Sequence, residues 1–146
     1  MTASNGPNES LMDPQATAQP SPHRKLLIVD DEQKICQVLA QYFSMKGYEV
    51  RTVCRGEEAV ALLSAFQPNV VLLDLLMPGI SGIDTLKKLK QLVPSLRIIM
   101  LSAADHHDVA EGALKLGADC YVCKPPNLRE LERLVNGFWP SEKRRS

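Results

Sequence analysis

The chain has no excess of charge of either sign and no long hydrophobic run. Its 146 residues contain 17 Lys and Arg against 17 Asp and Glu, so the formal net charge is zero. A protein without a basic excess has no overall positive field to attract a nucleic-acid backbone, which argues against direct DNA binding. No segment approaches the ~20 consecutive apolar residues that span a bilayer, so no membrane partner is expected.

The cysteines are few for a disulfide-rich protein, and the N-terminal residues do not resemble a secretion signal. Four cysteines in a domain of this length do not suggest a disulfide scaffold. Residues 1–23 contain no Lys or Arg and no apolar stretch of the kind that a signal peptide needs. These features predict a cytoplasmic protein.

The chain divides into three segments by composition. Residues 1–23 hold four of the ten prolines among small polar residues, which predicts a disordered N-terminal tail. Residues 140–146 form a short basic C-terminal tail. Residues 24–139 have the length and the apolar content of one globular domain. The tails carry three acids and three bases, so this domain is itself neutral.

Strand-like and helix-like segments alternate five times in the middle of the chain. This alternation predicts an α/β fold of the three-layer, doubly wound (βα)5 flavodoxin-like type, with a parallel sheet between two layers of helices. The second and fifth strand-like runs, near residues 48–53 and 120–123, contain polar residues and are predicted as edges, which gives the strand order 2-1-3-4-5. Three wholly apolar runs are predicted as central strands, namely residues 26–29, 70–73 and 98–101.

Helix ends also carry sequence signals. Gly47 is predicted to end the first helix. Ser81 followed by Asp84, and Asn127 followed by Glu130, have the spacing of capping boxes and predict the starts of the third and fifth helices.

Polar residues stand where four of the strands end. Asp30 and Asp31 follow the first strand, Asp74 ends the third, Ser102 ends the fourth and Lys124 follows the fifth. The carboxyl ends of parallel strands meet at one edge of the sheet, and ligands bind outside that edge where the strand order reverses. Three carboxylates, a hydroxyl and an ammonium group are therefore predicted to converge.

Such a cluster needs a counter-charge. Carboxylates within ~5 Å repel by roughly 3 kcal/mol per pair at an effective dielectric constant near 20. Mg²⁺, a hard cation that keeps part of its water, suits a shallow site of this kind, and Lys124 supplies a second positive charge. A metal, an ammonium group and a hydroxyl around one free carboxylate make a phosphoryl-transfer site. Polar loop residues would explain any one of these positions but not the five together.

The motifs around these residues resemble the receiver domain of two-component response regulators, of the chemotaxis-regulator type. The resemblance runs from about Lys25 to Phe138. Four motifs carry it: Leu-Ile-Val-Asp-Asp-Glu (27–32), Leu-Leu-Asp-Leu-Leu-Met-Pro-Gly-Ile-Ser-Gly (72–82), Met-Leu-Ser-Ala (100–103) and Gly-Ala-Asp-Cys-Tyr-Val-Cys-Lys-Pro (117–125).

The resemblance implies that Asp74 accepts a phosphoryl group from a phosphohistidine on a sensor histidine kinase or a histidine phosphotransfer protein. It implies Mg²⁺ as the cofactor, held directly by Asp31 and Asp74, through water by Asp30, and by the backbone carbonyl of Leu76. The chain would catalyse its own phosphorylation and dephosphorylation and would otherwise not be an enzyme.

The resemblance also implies a conformational switch. Lys124 would contact the phosphoryl group, and the Lys124–Pro125 peptide bond would be cis. Ser102 would turn inward to the phosphoryl group and Tyr121 would rotate inward with it. This movement would reach the surface of the fourth helix, the fifth strand and the fifth helix. Output would follow through a downstream protein target or a phosphorelay, and a phosphorylation-dependent dimer is a further option.

Two positions depart from the better-studied members of that family. Residues two places after Asp74 and Ser102 tune hydrolysis of the acyl phosphate there, often through an amide or a carboxylate. Here they are Leu76 and Ala104, which cannot orient a water molecule. We therefore expect slow, unassisted autodephosphorylation.

Three alternative functions make different demands on the sequence. A metal-dependent phosphatase would need the pattern D-x-D-x-[TV], and Asp74-Leu75-Leu76 lacks its second Asp. A phosphorylation-independent scaffold would not need the complete set of acids, Ser102 and Lys124. The chain could also be the receiver fragment of a larger regulator or hybrid kinase.

Several other residues with reactive or metal-binding side chains fit structural roles. Cys120 and Cys123 lie three residues apart in a predicted strand, so they point to opposite faces and are predicted as buried small hydrophobic residues rather than a zinc or redox pair. His106 and His107 are predicted at a solvated helix start capped by Asp105. Trp139 is predicted to pack at a helix end or to contact a partner.

Overall fold

The computed structural model describes residues 24–77, 79–103 and 106–139. The two predicted tails, and the predicted cap Asp105, lie outside these residues. The strands are β1 (Lys25–Val29), β2 (Glu49–Val53), β3 (Val70–Asp74), β4 (Arg97–Ser102) and β5 (Cys120–Cys123). The helices are α1 (Gln33–Met45), α2 (Gly56–Phe66), α3 (Gly82–Leu92), α4 (His107–Lys115) and α5 (Leu128–Asn136). Among the described residues no helix is long and apolar enough to cross a membrane.

The five strands form one parallel sheet in the order β2-β1-β3-β4-β5, which confirms the predicted fold class. Every residue of β3 is buried, whereas the edge strands β2 and β5 contain no fully buried residue. The polar residues of these two runs therefore did identify the edges of the sheet.

Helices cover both faces of the sheet because its strands are apolar on both sides. Leu27 and Val29 face a core formed with α2, α3 and α4. Leu26 and Ile28, the alternating residues of β1, face a second core formed with α1 and α5. Because the strands are packed on both faces, the residues at the carboxyl edge of the sheet have defined positions.

Two tyrosines join α1 and its C-terminal loop to α5. The hydroxyl of Tyr42 donates to Glu132 Oε1 at 2.5 Å. The hydroxyl of Tyr48, which follows α1, donates to Asn136 Oδ1. Phe43 lies between these tyrosines and packs edge-to-face on both rings, with centroids 5.4 Å apart in each pair.

Trp139 is a packing residue, as one of its two interpretations predicted. Its ring packs edge-to-face on Tyr48 with centroids 5.5 Å apart. The guanidinium of Arg24 lies 5.1 Å from the centre of the same ring. The two ends of the described chain are therefore in contact.

The predicted helix ends agree with the structure. Ser81 Oγ accepts from the backbone N–H of Asp84, and Asn127 Oδ1 accepts from that of Glu130. Gly47 follows α1 with a φ of +96°, a conformation that favours glycine. By contrast, α4 begins after His106 without a side-chain cap.

The expectation that Cys120 and Cys123 are both buried was wrong. Cys120 is half-buried, and Cys123 is exposed because it is the last residue of an edge strand. Both are free thiols, as are Cys36 and Cys54.

Candidate functional site

Two adjacent parallel strands bring Asp30 and Asp74 together. Val29 of β1 pairs with Leu73 of β3, so the residues that follow them lie side by side. Asp30 is completely buried and Asp74 is 4% exposed, whereas Asp31 is exposed. Each of the three aspartates has a carboxylate oxygen that lies within 4.8 Å of the others.

Lys124 follows β5 and reaches across the sheet edge to these acids. Its backbone N–H donates to the carbonyl oxygen of Ser102 at 2.8 Å, which fixes the start of the side chain, and the Lys124–Pro125 bond is cis. Lys124 Nζ lies 2.9 Å from Asp30 Oδ2 and 3.3 Å from Asp74 Oδ1. The five residues predicted at the ends of four strands thus lie at one edge of the sheet.

Glu32 is a fourth acid in this group, and spacing along the sequence did not single it out. Its Oε1 lies 2.7 Å from Lys124 Nζ. The signal available was its place as the third consecutive acid after β1, inside the motif at residues 27–32. Position alone could not tell whether its side chain turns toward the sheet edge or toward solvent.

The electrostatics of the site oppose the ionisation of Asp74 and favour a charged Lys124. Burial, together with the negative charge of Asp30, raises the pKa of Asp74 from 3.8 to about 7, although Lys124 works in the opposite direction. Burial by itself lowers the pKa of Lys124, but the hydrogen bond to Glu32 and the ion pair with Asp30 outweigh this and raise the pKa above its ordinary value. The acids outnumber the ammonium group and lack a full counter-charge.

The donor set fits a hard divalent cation. Asp30 Oδ2 is buried and has no hydrogen-bond partner among the described residues, its contact with Lys124 being an ion pair without hydrogen-bond geometry. A cavity of about 340 Å³ lies above these groups. We call it the acidic pocket, and its walls are Asp31, Glu32, Asp74, Leu75, Leu76, Ala103 and Lys124. Carboxylate and carbonyl oxygens are the ligands that Mg²⁺ prefers.

Glycine holds the loop that follows Asp74. Gly82, the first residue of α3, donates its backbone N–H to the carbonyl of Leu75 at 3.0 Å. A Cβ at Gly82 would lie 2.4 Å from the carbonyl oxygen of Asp74, which is too close for any side chain. The absence of a side chain therefore lets α3 approach the loop that carries Asp74 and Leu76.

Ser102 and Tyr121 lie near the pocket but make their contacts elsewhere. Ser102 is buried, and its hydroxyl donates to the carbonyl of Ala103 at 3.0 Å. Tyr121 is half-buried, and its hydroxyl lies 3.1 Å from Nδ1 of His107, the first residue of α4. The two rings pack edge-to-face with centroids 5.9 Å apart. The His107 contact was not predicted, since a helix start and a strand 14 residues later share no sequence pattern.

Residues 26–136 match the model of a protein family described as the response regulator receiver domain. The chain belongs to this family. Receiver domains are signalling modules of two-component systems, and they generally bind Mg²⁺ at an acidic pocket. The predicted family is thereby confirmed.

Curated relatives and solved structures agree with this assignment. Response regulator SaeR of Staphylococcus epidermidis is 42% identical to the receiver domain over 113 residues, and SaeR of Staphylococcus aureus is 41% identical. These matches cover 77% of the chain and 49% of SaeR, so the chain spans about half the length of these curated relatives.

Two solved structures have the same fold. A putative response regulator from Chloroflexus aurantiacus superposes with a TM-score of 0.75 at 33% identity, over 80% of this chain and 97% of that one. A CheY-like receiver domain protein from Methanospirillum hungatei superposes with a TM-score of 0.76 at 29% identity, over 80% of this chain and 94% of that one.

Proposed function

We propose that this receiver domain is a phosphorylatable switch in which Asp74 accepts the phosphoryl group. The observation that carries the proposal is the placement of the Asp74 carboxylate. It faces a cavity, it has an ammonium group at 3.3 Å, and two further carboxylates lie within reach of a shared cation. A nucleophilic carboxylate beside fixed positive charge is what phosphoryl transfer requires.

In the reaction, an oxygen of Asp74 attacks the phosphorus of a phosphohistidine on the donor protein. The phosphorus–nitrogen bond breaks, its electron pair stays on the imidazole nitrogen, and an acyl phosphate forms on Asp74. Lys124 stabilises the negative charge on the transferring oxygens. Lys124 is available because the raised pKa keeps its ammonium charged throughout the neutral range.

Asp31 and Asp74 would hold Mg²⁺ directly, Asp30 would hold it through water, and the carbonyl of Leu76 would complete the protein ligands. When bound, the ion would supply positive charge that offsets the negative charge on the phosphoryl oxygens. The acids can fill this role because Asp30 and Asp74 are fixed at strand ends while Asp31 remains open to solvent. Removal of Mg²⁺ by a chelator is expected to abolish phosphorylation.

Ser102 and Tyr121 are the proposed switch residues. After phosphorylation the Ser102 hydroxyl leaves the carbonyl of Ala103 for a phosphoryl oxygen, and Tyr121 turns toward the space that it vacates. Tyr121 then loses its contact with His107 at the start of α4. Phosphorylation thereby changes the surface formed by α4, β5 and α5, which we propose as the output surface.

The central test is labelling by acetyl phosphate or a phosphorylated histidine kinase in the presence of Mg²⁺. We expect stoichiometric labelling of the wild type and none of Asp74→Asn. Asp84→Asn, which alters an exposed aspartate in the first turn of α3, is the matched control and should label normally. Sustained release of phosphate from a small ester would favour a phosphatase instead. If Asp74→Asn changed neither labelling nor partner binding, the scaffold function would replace the switch.

Slow autodephosphorylation is part of the proposal. Leu76 lies at the wall of the pocket with 51% of its surface exposed, and its side chain has no polar group to orient water. Ala104, the other tuning position, lies outside the described residues. We expect Ala104→Asn or Leu76→Asn to accelerate decay of the acyl phosphate, and a decay rate that rises little would contradict this.

The proposed partners are a sensor histidine kinase or a phosphotransfer protein as donor and a protein target as receiver of the signal. The absence of direct DNA binding remains a prediction from the neutral charge.

One observation favours the alternative of a receiver within a larger regulator or hybrid kinase: the curated relatives are about twice as long as the matched region. Pull-down with and without beryllofluoride on Asp74 would identify the target.

A further inference from the structure

We propose that Glu32 is a positioning residue that holds the Lys124 ammonium at the rim of the acidic pocket, where it competes with an incoming phosphoryl group. The inference rests on the proposed function of Asp74 and Lys124. It assigns to Glu32 a restraining role: the residue weakens binding of the anionic donor and of the phosphoryl group until Lys124 is released.

The contacts of Lys124 are unequal. Its ammonium carries three hydrogens and lies near three carboxylates. The Asp30 and Asp74 side chains are 0% and 6% exposed, and they lie 2.9 and 3.3 Å from Nζ. The Glu32 side chain is 57% exposed and lies closer, at 2.7 Å. The shortest contact of the ammonium group therefore comes from the partner at the rim.

The backbone of Glu32 is fixed, so the contact is built into the loop. Its N–H donates to Asp30 Oδ1 at 2.9 Å, and its carbonyl accepts from the N–H of Cys36 at 3.1 Å. It stands at the N-cap of α1 but does not cap the helix with its side chain. The carboxylate is therefore free from the usual capping role and is turned to Lys124 instead.

Charge explains why this contact opposes the reaction. Glu32 and Lys124 both line the cavity through which a phosphoryl group reaches Asp74. The donor is anionic, and Lys124 is the cation that the chain itself offers it. As long as Glu32 holds the ammonium, the donor meets a neutralised lysine and an additional negative charge. The phosphoryl group must therefore displace the Glu32 carboxylate from Lys124.

Two variants separate direct contact from a general field effect. Glu32→Gln removes the charge, and Glu32→Asp keeps the charge on a side chain one methylene shorter, which moves the carboxylate away from Lys124 when the backbone stays in place. Glu58→Gln is the matched control. Glu58 is an exposed acid in the first turn of α2, and its Oε1 accepts from the N–H of Cys54, a bond that glutamine preserves.

The experiment measures beryllofluoride affinity and phosphorylation by acetyl phosphate in the full chain at saturating Mg²⁺. We expect Glu32→Gln and Glu32→Asp to bind beryllofluoride about two- to fivefold more tightly, the range of a partly exposed ion pair. They should lower the half-saturating concentration of acetyl phosphate by a similar factor and leave the maximal rate nearly unchanged. Glu58→Gln should match the wild type.

A second measurement does not depend on activity. The ¹⁵N resonance of Lys124 Nζ in the metal-free protein should move in both Glu32 variants and stay in place in Glu58→Gln. The inference would be overturned if Glu32→Gln bound beryllofluoride with wild-type affinity. It would also be overturned if only Glu32→Asp kept wild-type affinity, because that result would indicate a general field effect of the charge rather than a direct contact. If the wild type itself bound no beryllofluoride, the proposed function would fall and the inference with it.

Discussion

Helices α1 and α5 on one side of the sheet and helix α4 on the other are held in different ways. On one side, α1 and α5 are joined by Tyr42–Glu132, by Tyr48–Asn136 and by the aromatic stack around Phe43. On the other side, α4 buries two alanines against the sheet, and its first residue, His107, contacts Tyr121. Large apolar residues of α4 such as Val109 and Leu114 are partly exposed.

This difference fits the proposed roles of the two regions, a fixed α1–α5 side and a responsive α4. A helix that buries alanines loses little apolar contact when it shifts, whereas one anchored by aromatic rings loses much. The α1–α5 side can keep the sheet edge and its acids in place while α4 and β5 respond to the state of Asp74. The acidic pocket provides a second contrast. Repulsion among its buried carboxylates destabilises the fold, whereas the contacts between α1 and α5 stabilise it.

Phe43→Ala should have the largest effect. Phe43 is completely buried between two tyrosine rings, so its truncation is expected to cost about 3–5 kcal/mol in the free energy of unfolding. The matched change on α4, Ala110→Gly, should cost about 1 kcal/mol. Urea unfolding measures both. If Ala110→Gly lowered the free energy of unfolding as much as Phe43→Ala does, the contrast between α4 and α1 would be contradicted.

Asp74→Asn should stabilise the metal-free protein at pH 8 by roughly 2–4 kcal/mol. Because the pKa of Asp74 is about 7 in the folded chain against 3.8 for the free group, charging it costs folding energy. The penalty is absent below pH 3.8, grows as pH rises toward 7 and is complete above it.

The measurement is urea unfolding with chelator at pH 4 and pH 8. The stability gain of Asp74→Asn should nearly vanish at pH 4. At pH 8, Mg²⁺ should raise the stability of the wild type toward that of Asp74→Asn, because the ion binds the folded wild-type protein. Equal stability of the two proteins at both pH values would show that the pocket stores no charge repulsion.

Tyr48→Phe should destabilise the fold by about 1 kcal/mol, since it removes one largely buried hydroxyl and leaves Asn136 Oδ1 to solvent. Thermal unfolding measures it. The ring contacts with Phe43 and Trp139 remain in this variant. An unchanged melting temperature would mean that the hydrogen bond from Tyr48 to Asn136 adds nothing to the stability of this side of the sheet.

His107→Ala should have the smallest effect on stability, within about 0.5 kcal/mol, because the side chain is exposed. It should nevertheless raise the fraction of Tyr121 in the inward position, which side-chain NMR of Tyr121 reports. Asp108→Ala, at the neighbouring exposed position of α4, is the control. Unchanged Tyr121 signals would mean that the His107 contact does not hold the ring.

Much of the fold could be predicted because burial on both faces leaves a signal in each central strand. The wholly apolar run from Val70 to Leu73 predicted a buried central strand, and the polar residues of β2 identified an edge. The capping residues Ser81 and Asn127 fixed helix starts through a local pattern. Cys123 was misjudged because the end of an edge strand is exposed whatever its residue type.

The candidate site was predictable only as far as strand ends are. Asp30, Asp74 and Lys124 follow strands whose ends meet, so their proximity followed from topology. Glu32 and His107 depend on side-chain directions in a loop and at a helix start, which spacing along the chain does not encode. The tightest partner of Lys124 was therefore seen only in three dimensions.

The contact between Arg24 and Trp139 has a consequence for protein architecture. A domain whose first and last described residues touch enters and leaves a longer polypeptide at a single point. It can be inserted into a loop of a host protein, or its ends can be joined and new ones opened elsewhere, with little disturbance. Because that junction lies at the edge of the sheet opposite the acidic pocket, a fused host would leave the pocket accessible.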